Sequence, residues 1–224
     1  MDISHSAASI GTLADDTRRA LYEYVVAQQD AVGREAAAEA VNVPGHMARF
    51  HLDKLVEAGL LDTEFRRLSG RSGPGAGRPS KLYRRVDRTV ALSLPERRYD
   101  LVGHLLALAI ERAAQGVDLD TALHEVAHAE GLRTAASAPS AEEDELARAA
   151  DVLDAHGFEP RATDAAILLA NCPFDSLARE HTAVVCAANH AFVGGLLDGL
   201  GCEHLRAHAE PHEDRCCVTV RQAG

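Results

Sequence analysis

Residues 34–59, REAAAEAVNVPGHMARFHLDKLVEAG, constrain this chain more than any other stretch. Two helix-forming segments flank Asn42-Val43-Pro44. Asparagine tolerates the left-handed backbone that a tight helix–helix turn requires, and proline suits the first turn of a new helix. Before the turn, Ala36, Ala37 and Ala40 are small enough for another helix to pack close. After it, Ala48, Leu52, Leu55 and Val56 form a buried stripe, and Gly59 ends the helix. An earlier helix is expected from Asp16 as its cap, with Leu21, Tyr24 and Val25 on one face. Two short helices about a three-residue turn make a helix-turn-helix. In that geometry the outward residues at the start of the second helix face the DNA major groove. Here they are Gly45, His46, Arg49 and Phe50, with Lys54 further along. The fork of Arg49 matches guanine's acceptor edge, and His46 suits a base or a phosphate.

The next segment, RRLSGRSGPGAGRPSKLYRR (66–85), is rich in glycine and arginine. LLDTEFRR before its glycines and SKLYRR after them read as two strands, so the segment is expected to be a hairpin wing. A Walker loop is excluded because Ala76 stands where lysine is required, and a dinucleotide fingerprint because Arg78 replaces its third glycine. Arg66, Arg67, Arg71, Arg78 and Lys81 are the expected DNA contacts of the wing. Net charge is −11, which argues against nucleic acid until its distribution is read. Residues 66–88 hold eight Lys/Arg and one acid, a sum of +7. Phosphates meet only the local face, so an acidic chain with one basic element can bind DNA.

Aromatics make up only 4% of the chain and alanine is abundant, which favours helix. Apolar runs such as LLALAI are too short to span a bilayer. The start, MDISHSAASIG, lacks the pattern of a secretory signal, so a cytoplasmic protein with free thiols is expected. SLPERRYDLVGHLLALAIERA opens with a capping box, Ser93 and Glu96. Its stripe of Leu101, Val102, Leu105, Leu106, Ala109 and Ile110 is broad enough to pair with a second copy of the chain. HEVAH (124–128) spells a zinc-protease motif, but with no third ligand downstream a solvated helix face is the plainer reading, and no enzyme is expected.

From Ser140, a second capping box with Glu143, the order helix-strand-strand-helix-strand-strand implies a small α+β layer structure. All five cysteines fall in the last 53 positions: Cys172, Cys186, Cys202, Cys216 and Cys217. Thiolates ligate iron–sulfur clusters and zinc, yet no C-x-x-C knuckle is present, and buried cysteines also pack as small hydrophobes. If Cys216 and Cys217 lie on a strand they point to opposite faces, and at most one ligates.

LADDTRRALYEYV, HLDKLVEAGLL and the 66–85 segment resemble a family of bacterial winged-helix transcription regulators whose best-known members repress the operon for Suf-type iron–sulfur cluster assembly. The resemblance covers roughly residues 10–90. It returns at NCPFDSLAREHTAVVCAANHAFVGGLLDGLG and RCCVTV. It implies an iron–sulfur cluster held by Cys172, Cys186 and Cys216, with Cys202 as the chosen fourth ligand and Cys217 or His190 as alternatives. The expectation is thus an α+β chain of three regions. Residues 1–90 form the winged helix-turn-helix domain, 91–137 a helical dimerisation region, and 138–224 a cysteine-containing sensor. Its function would be a homodimeric regulator, a repressor, that binds a double-stranded operator and senses cluster or redox status. The rival readings are a small organic effector with no cluster, or a zinc-dependent hydrolase.

Overall fold

A computed structural model of the chain describes residues 3–67, 79–138, 142–163 and 165–223, with side chains from Ser6 onward. The fold is mixed α and β. Contacts divide it into two compact units, Met1–Leu92 and Ser93–Gly224. Among the described residues, no helix is long and apolar enough to cross a membrane.

The first unit runs α1 (Ile3–Thr12), α2 (Asp16–Val26), β1 (Val32–Gly33), α3 (Arg34–Val41), α4 (Gly45–Glu57), β2 (Leu61–Arg66) and β3 (Ser80–Arg85). Its core joins Leu21 of α2, Ala37 of α3 and Ala48, Leu52 and Leu55 of α4, all fully buried. Each such leucine contributes roughly 2 kcal/mol by leaving water. The three strands form an antiparallel sheet in the order β1-β3-β2. The cap of α2 is Asp15, not Asp16: its carboxylate accepts from the Arg18 amide at 2.8 Å, and Asp16 is the first helical residue. With two adjacent aspartates, sequence alone does not say which one leaves the helix. Helix α1 was not anticipated. Ser9 ties it down by donating to the Ala58 carbonyl at 2.8 Å.

The second unit runs α5 (Tyr99–Ala113), α6 (Leu119–Ala136), α7 (Glu145–Asp154), β4 (Pro160–Ala162), β5 (Ala166–Leu169), α8 (Asp175–Glu180), α9 (Thr182–Gly199), β6 (Leu205–Ala209) and β7 (Val218–Gln222). The strands form one antiparallel sheet, β4-β5-β7-β6, against which α7 and α9 pack. Helices α6 and α9 lie together closely enough that Gly131 and Gly195 meet opposing backbone. Helices α5 and α6 therefore share a core with the residues after them, which include Phe158, Phe174 and Phe192. Leu101, Val102, Leu105 and Ala109 of α5 are buried within this unit, leaving Ile110 as the large apolar residue of the stripe that stays outside, 62% exposed.

Both later capping boxes differ from expectation. The Ser93 hydroxyl accepts from the Arg97 amide at 2.8 Å, but α5 starts only at Tyr99. Helix α7 is capped by Asp144, which accepts from the Ala147 amide at 2.8 Å. Ser140 lies outside the described residues.

Candidate nucleic-acid interface and thiol cluster

The turn between α3 and α4 is built as its residues require. Asn42 sits at φ 55° and ψ 50°, left-handed, and its amide and that of Val43 reach back to the carbonyls ending α3. Pro44 is the cap of α4 rather than its first residue, and its carbonyl accepts from the Ala48 amide at 3.0 Å. Burying Ala48, Leu52 and Leu55 turns the opposite face out. Gly45, His46, Arg49, Phe50 and Lys54 are all exposed, Phe50 by 57%. Lys54 is ion-paired with Glu57 at 2.6 Å.

The wing strands pair residue for residue, from Leu61↔Arg85 at the base to Arg66↔Ser80 at the outer end. This register divides the basic residues. Arg84 and Arg85 sit at the base, where Arg84 pairs with Asp62 at 3.1 Å. Arg88 donates to the Gly59 carbonyl at 3.0 Å. Arg66 and Arg67 are exposed at the outer end, with Glu64 at 3.5 Å from Arg66. Arg71 and Arg78 lie outside the described residues. The sum of +7 over 66–88 thus overstates the charge offered at the tip, because part of it holds the base together.

Lys81 is half-buried and does not stand free. Its Nζ lies 2.7 Å from Asp53 Oδ1 on α4, and the Tyr83 hydroxyl donates to the same oxygen at 2.8 Å. Burial pushes the Asp53 carboxyl up, but the bonds from Lys81 and Tyr83 and the charges of Lys81 and Arg49 outweigh it, so the net direction is down. Tyr83, 1% exposed, is pushed well above the ordinary tyrosine range by burial and by Asp53. Sequence reading did not single out Asp53 or Tyr83, because their bond joins residues far apart in the chain.

In the second unit the sheet and α9 collect sulfur. Cys172 follows β5, and Cys216 and Cys217 precede β7; the Cys216 amide donates to the Leu169 carbonyl at 3.0 Å. Cys216 is buried, and the thiols of Cys172 and Cys217 perturb it, as the Cys186 thiol of α9 perturbs Cys217. Interaction with Cys172 and Cys217 pulls the Cys216 thiol down against its burial. Interaction with Cys216, reinforced by burial, pushes Cys172 and Cys217 up. Asn189, 1% exposed, donates from Nδ2 to Cys216 Sγ at 3.1 Å.

Cys172, Cys186, Cys216 and Cys217 thus influence one another, and Cys202 is not among them. It lies past the end of α9, buried beside the Glu145 carbonyl at 3.8 Å. From Cys186 to the end of that helix is about 20 Å at 1.5 Å per residue. The strand begins only at Val218, so the opposite-faces argument does not apply to Cys216 and Cys217. His190 turns away, its Nε2 3.1 Å from the Ala207 carbonyl of β6. Among the described residues, no group of three or more His, Cys, Asp or Glu side chains is gathered to hold a metal ion. As a donor set, four thiols with one buried amide donor are what an iron–sulfur centre uses.

HEVAH lies on α6. Glu125 is ion-paired with Arg112 of α5, and His128 Nε2 is 2.9 Å from Asp198 of α9. His124 stacks on His128 at 6.2 Å between ring centroids. The motif's polar groups tie helices together.

Residues 13–64, which span α2 to β2, match a family described as a helix-turn-helix domain. No curated protein and no solved structure matches the chain.

Proposed function

We propose that the chain, a DNA-binding transcription regulator by its helix-turn-helix domain, is a homodimeric repressor whose second unit senses iron–sulfur status, as in the Suf-type regulators it resembles. The DNA-reading part rests on α4, which presents Arg49 and its exposed neighbours beyond a left-handed Asn42 turn. The sensing part rests on Cys172, Cys186, Cys216 and Cys217, which come from three separated segments and perturb one another's thiols, with Asn189 donating to Cys216 Sγ at 3.1 Å. These four residues would hold the cluster, which when bound supplies a redox- and oxygen-sensitive centre. Ligation would tie the loop after β5, the start of β7 and α9 to one another. Without it, the three segments lack that tie. That difference in constraint is what a ligand-driven population shift needs. A dimer fits two-fold reading of paired half-sites, with the outward side of α5 around Ile110 as its meeting face.

The test of sensing is anaerobic purification. A brown protein carrying iron and acid-labile sulfide supports it, and a colourless protein with no iron after reconstitution sinks it. Two expectations test DNA reading. Arg49→Ala is expected to cut discrimination between a selected duplex and random DNA by about 1–3 kcal/mol, measured by fluorescence anisotropy. If both affinities fall equally, Arg49 does not read a base. Arg71→Ala and Arg78→Ala are instead expected to weaken binding to all DNA and to flatten the salt dependence by about one charge each. An unchanged salt slope would remove the wing tip from the phosphate contacts.

A further inference from the structure

We propose that Asp53 sets the specificity of this DNA face, by anchoring Arg49 and Lys81 and disfavouring phosphate contacts that carry no sequence information. The inference rests on α4 being the DNA-reading helix. Asp53 lies one turn beyond Arg49 on that helix, and its two oxygens divide the work. Oδ1 accepts from Lys81 at 2.7 Å and from the Tyr83 hydroxyl at 2.8 Å, both on the wing strand β3. Oδ2 faces Arg49 Nε at 3.7 Å. The Tyr83 ring is buried in the core of the first unit, so the anchor does not move with the wing's outer end. Lys81 Nζ also lies 5.1 Å from the centre of that ring.

Fold stability alone does not explain a carboxylate here. Its side chain is one-third exposed on a face whose other outward groups include His46, Arg49, Phe50 and Lys54. A negative charge in that position repels every duplex alike, while the two cations it holds are withheld from indiscriminate phosphate contact. With Nε engaged by Asp53, the terminal nitrogens of Arg49 stay free for a base edge. Only a duplex that offers that edge recovers what the carboxylate costs. Asp53 is thus a positioning residue for the wing and a selectivity element for the helix.

The test compares the full-length chain with Asp53→Asn and Tyr83→Phe. The probes are a duplex recovered from a random library by the unaltered chain and a scrambled duplex of the same composition. Failure to recover any duplex would count against DNA reading itself and not against this inference. Asp53→Asn is expected to bind the scrambled duplex about tenfold tighter and the selected one within about threefold of the unaltered chain. Its salt slope should steepen by about one to two charges, as freed cations reach phosphates. Tyr83→Phe keeps every charge and loosens the anchor, so it should lower discrimination with no steeper slope. The inference is overturned if Asp53→Asn weakens both duplexes equally with an unchanged slope, the mark of a mere staple. It is also overturned if both tighten equally, the mark of simple repulsion. If Asp53→Asn shows no cooperative melting, Tyr83→Phe decides alone, and unchanged discrimination in that variant refutes the proposal.

Discussion

Cys216→Ser, reconstituted anaerobically with iron and sulfide, is expected to come out colourless, and Cys217→Ser with it, while Cys202→Ser loads like the unaltered chain. Serine keeps the shape of cysteine but replaces a soft, ionisable sulfur with a hard alcohol that iron–sulfur centres hold poorly. Cys216 accepts from Asn189 and is perturbed by both Cys172 and Cys217, so it should be the least replaceable. Cys202 contacts the Glu145 carbonyl and lies near Arg148. The rigid length of α9 keeps it from Cys186. Cys216 is also buried, and its loss could act through folding. Cys217 is only half-buried and gives the same answer with less strain. Iron, sulfide and visible absorbance are measured beside a thermal melt, so failed loading in a folded protein is read as a lost ligand. Failure of Cys202→Ser with full loading of Cys217→Ser would restore Cys202 as the fourth ligand. Full loading of all three would mean that neither Cys202, Cys216 nor Cys217 is needed.

The thiols of the second unit mark where sequence reading runs out. The first unit was legible because its signals are local. Asn42 and Pro44 specify a turn, the spacing of Ala48, Leu52 and Leu55 specifies a face, and the exposed residues of α4 follow by subtraction. The two strands after α4 were legible for the same reason, and β2 and β3 fall within the segments LLDTEFRR and SKLYRR read as strands. The thiol cluster depends on how β5, β7 and α9 come together, which no local pattern encodes. One usable signal was nevertheless present. VVCAANHAFVGGLLDGLG reads as one long helix, and a helix of that length keeps Cys186 and Cys202 apart. Asp53 was hidden differently: its partners Lys81 and Tyr83 lie some thirty residues away, and an acid on an exposed helix face looks like ordinary surface.

Gly194 and Gly195 are neighbours in α9 and are expected to respond to alanine with opposite signs. Two consecutive glycines inside a helix should cost about 1 kcal/mol each relative to alanine, so a helix that keeps them needs another reason. For Gly195 the reason is contact: an added Cβ would overlap the His128 carbonyl oxygen of α6 and lie 2.7 Å from its carbonyl carbon. Gly131 mirrors it from α6, where a Cβ would lie 2.6 Å from the Leu196 amide nitrogen. These are backbone atoms, which cannot swing aside as a flexible side chain would. The helices would have to separate, opening a core that includes Phe158 and Phe192. Gly195→Ala is therefore expected to lose about 3 kcal/mol. Gly194 has nothing within 4 Å of its would-be Cβ, so Gly194→Ala should gain up to about 1 kcal/mol through helix propensity and a less disordered unfolded chain. Urea unfolding followed by far-ultraviolet circular dichroism measures both, since α6 and α9 carry much of the helical signal. At constant slope the Gly194→Ala midpoint should rise and the Gly195→Ala midpoint should fall. A Gly195→Ala midpoint equal to that of the unaltered chain would mean that α6 and α9 do not meet at these glycines, and the placement of α9 against β6 and β7, on which the position of Cys186 depends, would fail with it.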